Sequence, residues 1–201
     1  MTLILGSQSP RRRELLAGLD VPFTAVTIDA DESYPADLQG EEIPIYISQA
    51  KARAYVHEMA DDEVLVTADT IVWCDGQVLG KPKDKADAQR MLRLLSGKTH
   101  QVYTGVTLKP LSPQPPFPVE GQGGDNMISF GDQTDVTFRE LTDEEIDYYI
   151  EKYRPFDKAG AYGIQEWIGY VACTRLEGSY FNVMGFPVEK VYENLKKLGF
   201  L

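Results

Sequence analysis

Three consecutive arginines at positions 11–13 follow Ser9 and Pro10 in the segment SQSPRRRELL. Serine is a favoured N-cap and proline a favoured first helical residue, so this segment predicts the start of a helix. That end of a helix carries partial positive charge, which disfavours each arginine by roughly 0.3 to 1 kcal/mol relative to a carboxylate. We therefore interpret the run as an anion site, with Arg12 on the apolar face of the helix. An ordinary solvated first turn is the alternative.

Two carboxylates form a second candidate, for metal binding and for water activation. Asp69 follows an apolar run at 63–68 that predicts a strand, and Glu32 lies in an acidic segment at 29–42. Carboxylates are ligands for magnesium, and an aspartate with a pKa of about 3.9 acts best on a metal-bound water. By spacing alone, Asp69 is equally compatible with a turn residue at the end of the strand. Glu32 alone is more simply a solvated carboxylate.

Two lysines and a glutamine complete the candidates. Lys51 lies in an alanine-rich segment, predicted to be helical at 44–59, where lysines usually face solvent. Lys81, between a glycine and a proline, suits either a fixed phosphate contact or a plain loop. In the segment FDKAGAYGIQ, glycines at 160 and 163 would let a planar ligand approach, and the Gln165 amide offers a paired donor and acceptor to a base. A glycine-kinked core strand is the alternative there.

The elements that must position these residues alternate along the chain. An Asp-Gly pair at 75–76 predicts a type I′ hairpin turn, Thr142 and Glu145 predict a capping box, and the segment 154–186 is expected to be rich in strands. His100 is interpreted as a hydrogen-bonded structural residue, and the proline-rich segment 110–126 as a surface loop. Strands are expected at 3–5, 63–68, 71–74, 77–79, 100–108 and 127–138, and helices after Ser9, at 44–59, 84–96, after Thr142 and from Pro187. Helical periodicity predicts two buried faces, one on the helix at 84–96 (Ala88, Met91, Leu92, Leu95) and one on the helix after Thr142 (Ile146, Tyr149, Ile150, Tyr153).

The composition is that of a single soluble domain spanning residues 1–201. The net charge of −11 disfavours nucleic acid as a partner, and the absence of a long apolar run argues against a membrane or secretory segment. We therefore expect a cytoplasmic protein. Cys74 and Cys173 lie in apolar contexts that predict buried thiols without a disulfide, and two histidines make a zinc site unexpected.

Seven segments, in this order, carry a resemblance to a known family: SQSPRRRELL, QAKA, ADTIV, LGKP, LSGKTHQVYTGV, DKAGAYGIQ and GSYFNVMGFP. From residue 3 to about residue 195 the chain resembles the Maf family, once called septum formation inhibitors. The resemblance implies a mixed α/β sheet with flanking helices and a central cleft, similar to inosine triphosphate pyrophosphatases, and a homodimer. It also implies hydrolysis of a nucleoside triphosphate to the monophosphate and pyrophosphate with Mg²⁺ or Mn²⁺. A non-catalytic nucleotide-binding regulator of cell division is the alternative.

The resemblance assigns roles to individual residues. Asp69 matches the proton acceptor and, with Glu32, the metal-binding carboxylates. Substrate binding is assigned to Ser7, Arg11, Arg12, Lys51, Thr70, Lys81 and Gln165.

The resemblance to the family also implies a substrate preference, and it shows two places where this sequence differs from the family pattern. Arg11, Thr70 and Gln165 match the branch that acts on dTTP and UTP, whereas the branch that acts on 7-methyl-GTP tends to carry Trp, Gln and Glu there. A neutral amide also suits uracil or thymine, which both donates and accepts hydrogen bonds. Glu166 stands where the family often has glycine, and the segment 110–126 is longer than usual.

Overall fold

A computed structural model of the chain describes residues 2–56, 63–110 and 126–201. Within them the chain forms seven strands and seven α-helices. In chain order these are β1 (Thr2–Gly6), α1 (Pro10–Ala17), β2 (Phe23–Val26), α2 (Glu42–Ala54), β3 (Glu63–Cys74), β4 (Gln77–Leu79), α3 (Lys85–Leu95), β5 (Thr99–Pro110), β6 (Ile128–Phe138), α4 (Asp143–Tyr153), a 3₁₀ helix (Ala159–Ala161), α5 (Trp167–Ala172), β7 (Cys173–Glu177), α6 (Tyr180–Met184) and α7 (Val188–Lys197).

The strands form one mixed sheet. Hydrogen bonds order them β2-β1-β3-β5-β6-β7, and β4 pairs with β3. Strand β1 is parallel to both β2 and β3, whereas β4 is antiparallel to β3 and β7 is antiparallel to β6. The predicted α/β class with a mixed sheet and flanking helices is confirmed. Most of the predicted surface loop, at 111–125, lies outside the described residues.

Contacts divide the chain into two compact units, and the first contains residues 1–69, 104–132 and 185–201. Ile4 of β1, Ala52 of α2 and Leu65 of β3 form a buried apolar cluster in this unit. The start of α2 also packs directly on the backbone of β5, because a Cβ atom at Gly105 would overlap the backbone of Pro44 and Ile45. Glycine at position 105 therefore allows this close helix-strand contact.

The second unit contains residues 70–103 and 133–184. Its core includes the apolar faces of α3 and α4, which the helical periodicity predicted. Asp75 and Gly76 have φ angles of 51° and 75°, as a type I′ turn requires, and both hydrogen bonds of the predicted capping box at Thr142 and Glu145 are present. These local predictions are confirmed.

Strand β3 corrects the prediction of two separate strands at 63–68 and 71–74. Its first half pairs with β1 and its second half with β4, while β5 is its neighbour on the other side, so one continuous strand spans both predicted segments. Asp69 consequently lies within a strand, and the prediction that it ends one is wrong.

Three other predictions of secondary structure are wrong. Helix α2 ends at Ala54 instead of residue 59, because Tyr55 adopts an extended backbone and packs against the cluster of Ile4 and Leu65. The segment 154–186 is not rich in strands, because it contains three short helices and the single strand β7. Strand β2 was not predicted, and none of its four residues is fully buried. Short apolar runs do not distinguish helix from strand by their periodicity.

The cysteines agree with the expected absence of a disulfide. Both are free, and Cys74 is buried as predicted, but Cys173 is partly exposed, so the prediction of a buried thiol there is wrong. Of the helices that the described residues form, none is long and apolar enough to cross a membrane.

Candidate functional site

The loop between β1 and α1 is held by two serine hydroxyls. Ser9 caps α1 by accepting a hydrogen bond from the Arg12 N–H at 3.5 Å, and Ser7 Oγ accepts one from the Ser9 N–H at 3.2 Å. Ser7 is buried, and the first turn of α1 contains no acidic residue. The helix therefore begins as predicted, with its positive end surrounded by arginines instead of carboxylates.

The three arginines occupy different environments. The Arg12 guanidinium donates from Nη1 to the Ala68 carbonyl at 2.8 Å and from Nε to the Gly185 carbonyl at 2.9 Å. Burial lowers the pKa of Arg12, and the nearby Asp69 carboxylate opposes this shift. Arg12 thus points inward, as its place on the apolar face predicted, and part of its donor capacity anchors the backbone. Arg11 is half-buried, whereas Arg13 is exposed.

Lys51, Asp69 and Glu32 form a compact cluster of charges in the first unit. Lys51 Nζ lies 2.7 Å from Asp69 Oδ1 and 2.8 Å from Glu32 Oε1. The side chains of Lys51 and Asp69 are only 12% and 15% exposed, whereas that of Glu32 is 52% exposed. The alternative that Lys51 faces solvent is therefore wrong. We call these three residues the charged cluster.

Two elements of regular structure position the charged cluster. Helix α2 provides Lys51 and strand β3 provides Asp69, while Glu32 comes from the loop after β2. Thr67 Oγ1 donates to the Ser48 carbonyl at 2.7 Å, and the Ser48 hydroxyl lies 2.8 Å from that of Thr107. These buried contacts fix the register of α2 against β3 and β5.

The two carboxylates of the charged cluster fit a divalent cation. Both contact the Lys51 ammonium group, so the two carboxylates lie on either side of one positive charge that a cation could replace. Across the described parts of the chain, no group of three or more His, Cys, Asp and Glu side chains is placed to hold a metal ion. Mg²⁺ commonly binds one or two carboxylates, with phosphates and waters completing its octahedron. The donor set therefore suits a cation that arrives with a phosphate ligand.

Three candidates lie in the second unit. Thr70 is half-buried on β3, and Lys81 is exposed after β4. Gln165 is partly buried, but its side-chain oxygen Oε1 is fully buried and has no hydrogen-bond partner. Leaving a buried acceptor unpaired costs roughly 1–3 kcal/mol. This unsatisfied oxygen is consistent with a site that accepts a hydrogen bond from a ligand.

A comparison with known protein families identifies the chain. Residues 2–198 match the family model described as Maf-like protein. The chain belongs to the Maf family. The match covers both units and every candidate residue that the sequence indicated.

Three relatives of this Maf-family chain share the name dTTP/UTP pyrophosphatase. The dTTP/UTP pyrophosphatases of Phocaeicola vulgatus and Bacteroides thetaiotaomicron are each 53% identical to it over 197 residues, which is 98% of this chain and 95% of theirs. That of Porphyromonas gingivalis is 51% identical over 200 residues, covering 98% of this chain and 94% of its own. Among solved structures, a Ham1 protein from Coxiella burnetii aligns with 98% of this chain and 99% of its own, at 15% identity and a TM-score of 0.49.

The glycines near Gln165 serve packing in this Maf-family chain. Gly160 has a φ of 66°, and a Cβ atom there would lie 2.8 Å from Val72 Cγ2. A Cβ atom at Gly163 would lie 3.0 Å from Glu166 Cδ and 3.1 Å from Lys158 Cε. The alternative of a kinked core strand is wrong, because the segment forms a 3₁₀ helix followed by a turn, whereas approach of a planar ligand to these glycines stays a prediction. They allow protein side chains to approach the backbone.

Sequence reasoning missed three polar residues around Gln165 in this Maf-family chain. The Tyr149 hydroxyl contacts Glu166, and Lys158 pairs with the same carboxylate. Tyr149 was assigned to the apolar face of α4, a periodicity that says nothing about its hydroxyl. The available signal was Glu166, which the resemblance to the family had marked as a departure.

His100 is structural, as expected from the sequence. Its Nε2 lies 2.8 Å from the Tyr162 hydroxyl, and its ring makes edge contacts with Phe138 and Tyr162. Burial lowers the pKa of His100 to about 4. The imidazole is therefore neutral at physiological pH and belongs to the core of the second unit.

Proposed function

We propose that this chain is a nucleoside triphosphate pyrophosphatase that hydrolyses dTTP and UTP to the monophosphate and pyrophosphate. The observation that carries the proposal is the charged cluster, in which Lys51 brings Asp69 and Glu32 together. Family membership and relatives at about 50% identity that are named dTTP/UTP pyrophosphatase support the substrates.

The charged cluster supports a role in hydrolysis of the α–β phosphoanhydride. Asp69 and Glu32 would hold a Mg²⁺ or Mn²⁺ ion, which when bound supplies positive charge against the phosphates and acidifies a bound water. Asp69 Oδ accepts the proton of the attacking water as the water oxygen bonds to a phosphorus of the α–β bridge, and the bridging P–O bond breaks with its electrons remaining on the leaving oxygen. Lys51, relieved of part of its pairing with the carboxylates, then donates to phosphate oxygens, and positive charge at the start of α1 attracts the same polyanion.

Base recognition is assigned to the second unit. Gln165 Oε1 accepts the N3–H of uracil or thymine, and the amide nitrogen donates to a ring carbonyl. The unpartnered oxygen supports this assignment because it lacks a donor, which a pyrimidine supplies once the Gln165 side chain or its surroundings expose the oxygen. Arg11 and Thr70 contribute to the same selection, and Ser7, Arg12 and Lys81 to triphosphate binding, by their match to the family pattern.

Product analysis tests the function directly. Purified protein is incubated with individual nucleoside triphosphates and Mg²⁺ or Mn²⁺, and the products are separated by ion-exchange chromatography. We expect dTTP and UTP to give the monophosphate and pyrophosphate in equal amounts, with purine triphosphates used less well. Release of orthophosphate alone, or binding without turnover, would refute the proposal, and the second outcome would favour a non-catalytic regulator. The homodimer stays a prediction, which analytical ultracentrifugation would test.

A further inference from the structure

Gln165 lies in a tight turn formed by residues 163–166. The Glu166 N–H donates to the Gly163 carbonyl at 3.0 Å, so Gln165 is the third residue of a four-residue turn. We call this segment the glutamine turn. The direction of the Gln165 side chain therefore depends on how firmly Gly163 and Glu166 are held.

A single buried hydroxyl holds both ends of the glutamine turn. Tyr149, from α4, is fully buried, and its hydroxyl accepts a hydrogen bond from the Gly163 N–H at 3.0 Å. The same hydroxyl donates to Glu166 Oε2 in a short hydrogen bond. Tyr149 thus ties the first and last residues of the turn to a helix of the core.

The charge of Glu166 is balanced within the same array. Glu166 Oε1 lies 3.1 Å from Lys158 Nζ, and the Lys158 side chain is only 9% exposed. Burial, followed by the contact with Glu166, raises the pKa of the Tyr149 hydroxyl well above its ordinary range, so it remains a proton donor. The Lys158 ammonium and the Tyr149 hydroxyl thus each contact one oxygen of the Glu166 carboxylate.

We propose that Tyr149 and Glu166 are positioning residues that aim the Gln165 amide and thereby set the preference for a pyrimidine base. This inference rests on the proposed function, in which Gln165 contacts the base. The array touches the turn on both sides of Gln165 and leaves its Oε1 unpartnered, as expected of a support that orients an amide without occupying it. A support that is merely structural would affect all ligands alike.

Binding measurements separate these roles. Calorimetry with Mg²⁺ compares a UTP analogue that has a methylene group between the α and β phosphorus atoms with inorganic tripolyphosphate, which has no base. We expect Tyr149→Phe to weaken binding of the analogue about five- to tenfold, the effect of one lost hydrogen bond, and to change tripolyphosphate affinity by less than about twofold. Glu166→Gln should act in the same direction, which keeps the test available if Tyr149→Phe fails to fold.

Tyr153→Phe is the matched control for the loss of a hydroxyl. Tyr153 lies on the same helix and stacks on Tyr149 with ring centroids 5.2 Å apart, outside the array that holds the glutamine turn. We expect this variant to bind both ligands as the unmodified protein does.

A double-variant cycle tests whether Tyr149 acts through Gln165. In a Gln165→Ala background, Tyr149→Phe should no longer weaken binding of the analogue, because there is no amide left to orient. A loss that persists in this background, or an equal loss for both ligands, would overturn the inference. A protein that shows the expected cycle but releases no pyrophosphate from UTP would refute the proposed function while supporting the positioning role.

Discussion

The charged cluster and the glutamine turn differ in how their polar groups are paired before a ligand binds. In the charged cluster, Lys51 already satisfies both carboxylates, at 2.7 and 2.8 Å. In the glutamine turn, the backbone is tied down at both ends while the acceptor at its tip is left unsatisfied. The first region must exchange partners to bind a cation and a phosphate, whereas in the second the backbone is already held and only the Gln165 oxygen must be exposed. Only in the second region is part of the ordering that binding requires already present in the free protein.

The difference corresponds to what each region would recognise. Phosphates and divalent cations are common to all nucleoside triphosphates, and ion pairs can exchange partners with ligands that bring their own charge. The base distinguishes one nucleotide from another, and a fixed neutral amide rejects a wrong pattern of donors and acceptors by leaving groups unpaired. We therefore expect variants in the charged cluster to change rate for every nucleotide and variants in the glutamine turn to change selection.

Asp69→Asn should have the largest effect. Asparagine keeps the shape of the side chain but does not accept the proton of the attacking water, so kcat should fall about 10²- to 10⁴-fold for all nucleotides. Affinity for the UTP analogue should change only a few-fold. Asp75→Asn is the control, because Asp75 is an exposed turn residue paired with Lys98. Steady-state kinetics that show near-normal turnover for Asp69→Asn would exclude Asp69 as the proton acceptor.

Lys51→Met tests whether the charged cluster must exchange partners. Methionine has a similar length but no charge, so kcat/KM should fall roughly 100-fold through loss of a phosphate donor. Removing the competing ammonium should at the same time tighten Mn²⁺ binding without nucleotide by about tenfold. Titration followed by electron paramagnetic resonance measures free Mn²⁺, with Lys98→Met as the exposed control. Unchanged or weaker Mn²⁺ binding would show that Lys51 does not compete with a cation.

Gln165→Glu tests selection. A carboxylate has no hydrogen to donate to a ring carbonyl and adds charge beside Glu166, so kcat/KM for dTTP and UTP should fall roughly 10- to 50-fold. The kcat/KM for purine triphosphates should fall much less, so the preference for pyrimidine over purine triphosphates, measured as the ratio of their kcat/KM values, should decrease. Gln77→Glu, at an exposed position on β4, controls for added negative charge. A parallel loss for every nucleotide would remove Gln165 from base selection and end the contrast between the two regions.

His100 provides another contrast with the charged cluster of the first unit. It is an ionisable group of the second unit that burial keeps neutral. Its folded pKa is about 4 and its ordinary value is 6.5, so in this range the unfolded chain binds a proton that the folded protein does not. The stability that neutral His100 contributes is complete above pH 6.5 and declines toward pH 4, by about 1 kcal/mol per pH unit. Urea unfolding between pH 7 and 5 should show this slope, and His100→Gln should reduce it. Equal slopes for the two proteins would mean that His100 titrates normally.

Signals between residues close in sequence predicted structure well. The Ser9 cap, the Asp75-Gly76 turn and the capping box at Thr142 each depend on a few neighbours, and all three are present. Predictions failed where distant partners decide the structure. Strand β2 exists through pairing with β1, and α2 ends where Tyr55 turns to pack against the core.

The same distinction applies to the candidate site. Residue types indicated phosphate, metal and base chemistry, but helix composition favoured a solvent-facing Lys51, and only folding places it between two carboxylates. Tyr149 was missed because a periodic pattern reports which side of a helix is buried and does not report what a hydroxyl at the end of a buried ring contacts.

Thr142→Ala should have the smallest effect, and it separates general stability from positioning. Thr142 caps α4, the helix that carries Tyr149 about two turns later, and its hydroxyl accepts a hydrogen bond from the Glu145 N–H at 3.3 Å. Its loss should cost roughly 0.5 to 1 kcal/mol of folding free energy and lower the melting temperature by a few degrees, while Thr142→Ser should retain most of the cap. The affinity ratio between the UTP analogue and tripolyphosphate should not move, because the hydroxyl of Tyr149 keeps both of its partners. A ratio that falls with Thr142→Ala would make base selection a consequence of helix stability, and Tyr149 would then have no special part in aiming Gln165.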